Sequence, residues 1–247
     1  MRYFLDISYK GTNYHGWQIQ PTAITIQEEI EKAFSTILRE EIKITASGRT
    51  DAGVHATQQI VHIDCNTEID NEKFEFKINS FLPNDFSINS IRRVKDDAHA
   101  RFDAQDRTYH YFINKNKSPF AKGLSWYNRK NLDVEMMNKA ASHLLYFQDF
   151  TSFSKVNTDT PHNLCDIKFA KWEWKGEQLV FTITANRFLR GMVRAVVGTL
   201  VDVGVGKLSV DEFKDVIKKE DRGEASSNAP AEGLYLAIIN YPKDIYL

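Results

Sequence analysis

Apolar positions along this chain change period in blocks, and the blocks follow a regular order. Residues 2–9 alternate with the two-residue period of a strand, and a loop at 10–23 follows, holding Tyr14-His15-Gly16-Trp17-Gln18. The period then lengthens. Ile26, Ile30, Ala33, Phe34, Ile37 and Leu38 share one helical face, and Thr25 with Glu28 has the spacing of a capping box. Extended, β-branched stretches at 42–45 and 54–64 predict two strands joined by a loop. A second helix is expected over 71–81, with Phe74, Ile78 and Phe81 facing inward and Leu82-Pro83-Asn84-Asp85 closing it, before a strand at 87–94. The order β-α-β-β-α-β is that of a ferredoxin-like unit.

After a polar crossing at 95–106 the order recurs. A strand at 107–114, a helix at 132–147, strands at 164–174 and 178–185, and a helix from 188 to about 203 make a second such half. A short helix at 209–219 and a polar loop at 221–229 delay the last strand, 234–241. The expected fold class is therefore α+β: two ferredoxin-like, RRM-like halves, 1–105 and 106–247, forming a broad, mostly antiparallel sheet with a central cleft. No linker is rich enough in Gly, Ser or Pro to suggest free hinge motion, so the halves are expected to pack firmly.

Composition narrows the class. With 247 residues, 42% of them hydrophobic and 26% charged, the chain has the make-up of a soluble globular protein. No apolar run approaches the roughly 20 residues of a membrane span, and Asp6 comes too early for a signal peptide, so a cytoplasmic location is expected. Cys65 and Cys165 lie far apart with no C-x-x-C, which suggests neither a disulfide framework nor a structural zinc. The histidines lack metal-ligand spacing and no glycine-rich nucleotide-binding motif occurs, so no metal and no cofactor is expected. A net charge of −1 does not advertise a nucleic-acid protein, and phosphate binding would need the cations gathered on one face.

Candidate chemistry concentrates in the loop between the predicted strands at 42–45 and 54–64. There Gly48-Arg49-Thr50-Asp51-Ala52-Gly53-Val54-His55-Ala56 sets a guanidinium and a carboxylate two residues apart between glycines that permit positive φ or close backbone approach. A fixed cation favours the ionised form of a neighbouring carboxylate, which suits a nucleophile or a general base. The plainer alternative is a hairpin loop using Asp and Gly for turn chemistry, with Arg49 a surface charge. Two further segments carry candidate chemistry. Alternation along 107–111 sends Arg107, Tyr109 and Tyr111 to one face, where an aromatic ring could support an unstacked base. The segment 186–203, read as a helix, lines Arg187, Arg190, Gly191, Arg194 and Gly198 along one stripe, and its glycines argue for close packing there.

The nine-residue string from Gly48 resembles the signature of the tRNA pseudouridine synthase A family, whose Asp is the catalytic nucleophile. Arg107-Thr108-Tyr109-His110-Tyr111 is similar to the family's Arg-x-Tyr-x-Tyr strand, and Phe188-Leu189 with Met192-Val193-Arg194 to its arginine-bearing helix. Tyr14-His15-Gly16-Trp17-Gln18, Leu82-Pro83, His99-Ala100-Arg101-Phe102, Asp149-Phe150-Thr151-Ser152-Phe153 and Glu232-Gly233-Leu234-Tyr235-Leu236 match in order, so the likeness spans nearly the whole chain. Ala98, Asp103 and His162-Asn163 depart from the family pattern.

The resemblance implies isomerisation of uridine to pseudouridine at positions 38, 39 and 40 of the tRNA anticodon arm by a homodimer. Its site would have Asp51 catalytic, Arg49 and Arg194 aligning it, and Tyr109 and Leu234 against the base. Arg92, Arg93, Arg101, Arg107, Arg187 and Arg190 are candidate phosphate contacts. Two rivals remain on the sequence. An RNA-binding module would explain the halves but not the Arg49–Asp51 loop, and a carboxylate glycosidase would want a second, opposed acid.

Overall fold

The computed structural model describes residues 1–156 and 160–247, and these divide into two compact units, Met1–Asp106 with Tyr235–Leu247, and Arg107–Leu234. Both units are α+β, with mostly antiparallel strands.

In the first unit β1 (Arg2–Tyr9) lies between β3 (His55–Asp64) and β4 (Phe86–Arg93), antiparallel to both. The short β2 (Ile44–Ala46) pairs antiparallel with the far end of β3, and β9 (Leu234–Asn240) runs parallel to its start through His55 opposite Tyr235 and Ala56 opposite Leu236. This pairing explains why the last strand, read from the sequence as closing the second half, groups with the first unit.

Helix α1 (Ile26–Leu38) buries Ile26, Ile30, Ala33 and Phe34 as its periodicity predicts. Its capping box does not form, and the Thr25 hydroxyl is buried without a hydrogen-bond partner. The reason is long-range: the Ile26 and Gln27 N–H groups donate to the Gly16 and Trp17 carbonyls at 3.1 and 3.0 Å, so the loop before the helix satisfies two of its orphan donors. Helix α2 (Asn71–Phe81) has the expected bounds but not the whole expected face. Ile78 is buried and Phe81 is 51% exposed, because the chain leaves the helix at Leu82 and that residue turns inward instead.

In the second unit β5 (Asp106–Asn114) pairs with β8 (Gln178–Ala185), and β8 with β7 (Ile167–Lys175), all antiparallel. The two-residue β6 (Trp126–Tyr127) runs parallel to the end of β5. Helix α3 (Val134–His143) is capped by the Asp133 side chain and tightens into a 3-10 turn, Leu144–Tyr146, so the expected single helix is two elements. Helix α5 (Val210–Lys218) starts on a capping box of Ser209 and Glu212.

The largest departure from the sequence reading is at α4 (Met192–Gly204). Gly191 sits at φ +74°, a left-handed conformation that ends the preceding turn and begins the helix. Arg190 therefore lies in that turn and Arg187 in the irregular chain before it, and neither shares a helical stripe with Arg194. Gly198 does serve close packing: a Cβ there would stand 2.1 Å from the Ser227 carbonyl oxygen, so the 225–229 loop lies directly on the helix.

Candidate active site

Asp51 belongs to the connection between β2 and β3, and its neighbours are fixed through the backbone. Ser47 N–H donates to the Ile60 carbonyl at 2.8 Å, the Ser47 hydroxyl donates to Gln59 Oε1 at 2.7 Å, and Gln59 Nε2 donates back to the Gly48 carbonyl at 2.7 Å. On the other side of the loop Trp17 N–H donates to the Thr50 carbonyl at 3.0 Å, Gly53 N–H to the Tyr14 carbonyl at 3.3 Å, and Val54 N–H to the Asp51 carbonyl at 3.2 Å. Tyr9 and Thr50 share a hydroxyl–hydroxyl bond of 2.7 Å in a buried setting.

The segment 11–17 is thus a strap laid over the Asp51 loop, and its glycines show how closely. A Cβ on Gly11 would fall 1.9 Å from the Val54 carbonyl oxygen, and one on Gly16, itself at φ +89°, 2.8 Å from the Thr50 carbonyl oxygen. His55 holds the strap from below. Its Nδ1 accepts from Gly11 N–H at 3.1 Å, which requires an unprotonated Nδ1, and its ring stacks on Tyr235 at 4.5 Å. Burial pushes the Tyr235 hydroxyl up to about 12, so that ring stays neutral. Gly53 has the positive φ expected of it, +77°, whereas Gly48 has neither positive φ nor anything within 4 Å of an added Cβ. Asp51 is half-buried on this scaffold. Arg49 is exposed and forms no ion pair with Asp51 among the described residues.

The second unit supplies different parts. The register of β5 on β8 is unbroken from Arg107 to Asn114, so the predicted alternation holds. Tyr109 is half-buried, with Phe188 edge-on at 5.1 Å and 88°, a contact that sets the plane of its ring. Tyr111 shares its face yet is fully buried. Its hydroxyl donates to the Pro230 carbonyl at 2.8 Å, and a Cβ on Gly233 would press 2.6 Å from its ring, so glycine is required before Leu234. Leu234 is buried beside this contact in sequence. Arg194 Nε donates to the Ala229 carbonyl at 2.7 Å and Ala229 N–H returns a bond to the Arg194 carbonyl at 3.0 Å, so helix and loop hold the guanidinium between them.

The candidate phosphate contacts divide by environment. Arg101 is exposed, its guanidinium 5.8 Å from the Phe102 ring, on a turn whose N–H groups at Arg101 and Phe102 donate to His99 Nδ1. His62 supports that turn by accepting from Ala100 N–H at 3.1 Å, and burial, aided by Arg2, pushes its imidazole down to about 4, keeping it a neutral acceptor. Arg190 and Arg92 are exposed, Arg107 Nη1 donates to the Asn186 carbonyl at 2.8 Å, and Arg187 donates to the Thr160 hydroxyl at 3.0 Å. Arg93 is paired with Asp96 at 2.9 Å. The departures at Ala98, Asp103 and Asn163 have local roles: Ala98 O accepts from Arg2, Asp103 accepts from His99 N–H, and Asn163 donates to the Thr151 hydroxyl.

Among the described residues no group of three or more His, Cys, Asp or Glu is placed to hold a metal, and no helix is long and apolar enough to cross a membrane. The first unit thus offers a carboxylate on an immobilised loop, and the second, taken by itself, an oriented tyrosine and a buttressed arginine. A family model described as tRNA pseudouridine synthase matches residues 7–103 and 140–242. The chain belongs to the tRNA pseudouridine synthase family. It is 49% identical over 247 residues to a tRNA pseudouridine synthase A of Bacteroides fragilis, covering 99% of this chain and 98% of that one. A Porphyromonas gingivalis protein of the same name is 48% identical over 250 residues, covering 100% and 99%. One from Thermoanaerobacter pseudethanolicus is 40% identical over 240 residues, covering 95% and 97%.

The family's matched segments contain the Asp51 loop, its strap, Arg194 and Leu234, while Tyr109 and Arg107 fall between them. Sequence reading missed Tyr9, Gly11, His55 and Gln59 as supports of the Asp51 loop. Glycines at 11 and 16 were the available signal, but nothing local says which backbone they must admit.

Proposed function

We propose that this chain is a tRNA pseudouridine synthase that isomerises uridine to pseudouridine at positions 38, 39 and 40 of the anticodon stem-loop. The bond from uracil N1 to the ribose C1′ breaks, the base turns, and C5 bonds to C1′. The proton on C5 is released and N1 takes one up, so atoms balance without redox or energy input. Asp51 serves as the catalytic carboxylate, either attacking the sugar or removing a ribose proton. Arg194 supplies a cation for that carboxylate, and the exposed Arg49 lends its charge once the RNA is bound. Tyr109 supports the extruded base and Leu234 packs near it. Arg101, Arg107, Arg187 and Arg190 contact the RNA backbone.

The observation that carries this reading is the Asp51 loop, whose backbone is clamped on both sides while Asp51 stays half-exposed and Arg49 and Ala52 beside it are exposed. Immobilised, oriented groups are what a reaction run on side chains alone demands. As the family resemblance implies, we further propose a cytoplasmic homodimer in which one tRNA touches both subunits.

The test is tritium release from tRNA labelled at uridine C5. Wild-type protein releases tritium and Asp51→Asn abolishes release while tRNA affinity stays within a few-fold, since phosphate contacts dominate binding. No release by wild type would leave an RNA-binding module, free uracil would mark a glycosidase, and turnover by Asp51→Asn would remove the carboxylate from its role.

A further inference from the structure

A lysine-rich, acid-free stretch of the second unit lies outside every motif described above. Between Asn114 and Asp133 the chain carries Lys115, Lys117, Lys122, Arg129 and Lys130 and no Asp or Glu, in a protein whose net charge is −1. All five are exposed, and Lys115, Lys117 and Lys122 form no ion pair among the described residues. Two aromatic rings stand among them: Phe120 is 90% exposed and Tyr127 43%.

This is not a loose loop. Pro119–Ala121 forms a 3-10 turn with proline at its start, closed by Ala121 N–H to the Ser118 carbonyl at 3.3 Å and Leu124 N–H to the Ala121 carbonyl at 3.0 Å. Gly123, at φ +71°, reverses the chain. The buried Asn114 side chain donates to the Ser125 hydroxyl at 2.8 Å, and Asn128 N–H donates to the Asn114 carbonyl at 2.9 Å. β6 then seats Trp126 edge-on to Tyr111 at 6.3 Å. A fixed turn that holds a phenylalanine in water among unpaired lysines gains nothing from folding, whereas it suits a partner that is both anionic and able to stack.

The same strand connects this surface to the candidate site. Lys115 lies six residue steps beyond Tyr109, and at about 3.3 Å per step the turn begins roughly 20 Å from the base-supporting tyrosine. We infer that the 115–130 segment is a second RNA-docking surface, holding tRNA phosphates through Lys115, Lys117 and Lys122 and a ribose or unpaired base against Phe120. The inference rests on the synthase reading, since it takes tRNA as the occupant.

The test uses the full-length protein with a full-length tRNA transcript. The triple variant Lys115→Gln, Lys117→Gln, Lys122→Gln should weaken tRNA binding tenfold or more at moderate salt. It should also flatten the plot of log affinity against log salt by roughly 0.9 for each duplex phosphate that is no longer neutralised. Phe120→Ala should weaken binding at least fivefold with the salt slope intact, as stacking of a base on an aromatic ring predicts. In turnover KM should rise and kcat stay within twofold, because neither change touches the Asp51 loop. Unchanged affinity and slope in both variants overturns the inference, as does a shift in the monomer–dimer equilibrium with tRNA binding unaltered, which would show a second copy covering the surface. Binding is read independently of turnover: a wild-type protein that binds tRNA through this surface yet releases no tritium would refute the synthase reading alone.

Discussion

The Asp51 loop and the Tyr109–Arg194 region are built by different means. Around Asp51 most of the restraints end on the backbone, and they need glycines at 11 and 16 because carbonyl oxygens stand where a Cβ would go. Around Tyr109 and Arg194 the restraints fall on the candidate side chains themselves: Phe188 orients the tyrosine ring, and the Ala229 carbonyl takes the guanidinium Nε. The first design places a short side chain accurately by fixing its Cα. The second is forced on long side chains, whose rotamers would otherwise cost entropy to order at each turnover.

The comparison breaks most visibly at Arg194. Arg194→Ala removes both the cation and the anchor to Ala229, so turnover should fall by two orders of magnitude or more. Arg194→Lys should recover only part, since an ammonium is a point charge and cannot reproduce the planar, multi-donor fork of a guanidinium. Turnover and thermal unfolding measured together decide the matter. Near-normal turnover in Arg194→Ala, or a loss explained wholly by unfolding, would remove this residue from the site.

Gly16→Ala tests the other design. The residue has φ +89° and its new methyl would meet the Thr50 carbonyl at 2.8 Å, so strap and loop must separate. A stability loss of about 1–3 kcal/mol is expected, comparable with other strained backbone sites, with kcat down at least tenfold and KM for tRNA little changed. A rise in KM alone would mean that the strap serves binding and not alignment.

Legibility from the sequence follows the same division. The Asp51 loop was readable because backbone constraints leave glycines in a short string, and β1, β8 and the bounds of α2 were readable because their periodicity is local. The partners of those glycines were not, since Gly11 meets Val54 across 43 residues of chain. The start of α4 was misplaced because Leu189 keeps the apolar spacing through a turn that only the left-handed Gly191 interrupts. The Thr25–Glu28 spacing matched a capping box that tertiary bonds from the strap made unnecessary.

Tyr109→Phe comes next in size. The edge-on contact with Phe188 needs only the ring, so stacking and tRNA affinity should hold within twofold. A drop in kcat beyond about tenfold would then assign the hydroxyl to proton transfer, a step worth roughly 10²–10⁴ in rate. A neutral result leaves the ring as the base support and nothing more.

The smallest expected effect is at Gly48, and it bears most directly on why this loop is glycine-bracketed. Gly53 needs its positive φ and Gly16 needs its clearance, but Gly48 needs neither: its φ is ordinary and nothing stands within 4 Å of an added methyl. The bond that position makes, from Gln59 to its carbonyl, is indifferent to the side chain. Gly48→Ala should therefore leave thermal unfolding unchanged or raise it slightly, since alanine narrows the unfolded ensemble by about 0.4–1 kcal/mol where the native conformation accepts it. If the glycine has no other purpose, turnover will be unchanged too. Should turnover fall while stability holds, the open space beside residue 48 is occupied in the working complex, and the RNA backbone is the group that must pass there. Measuring kcat and KM on this one variant, beside Gly16→Ala, separates a glycine kept for the fold from a glycine kept for the substrate.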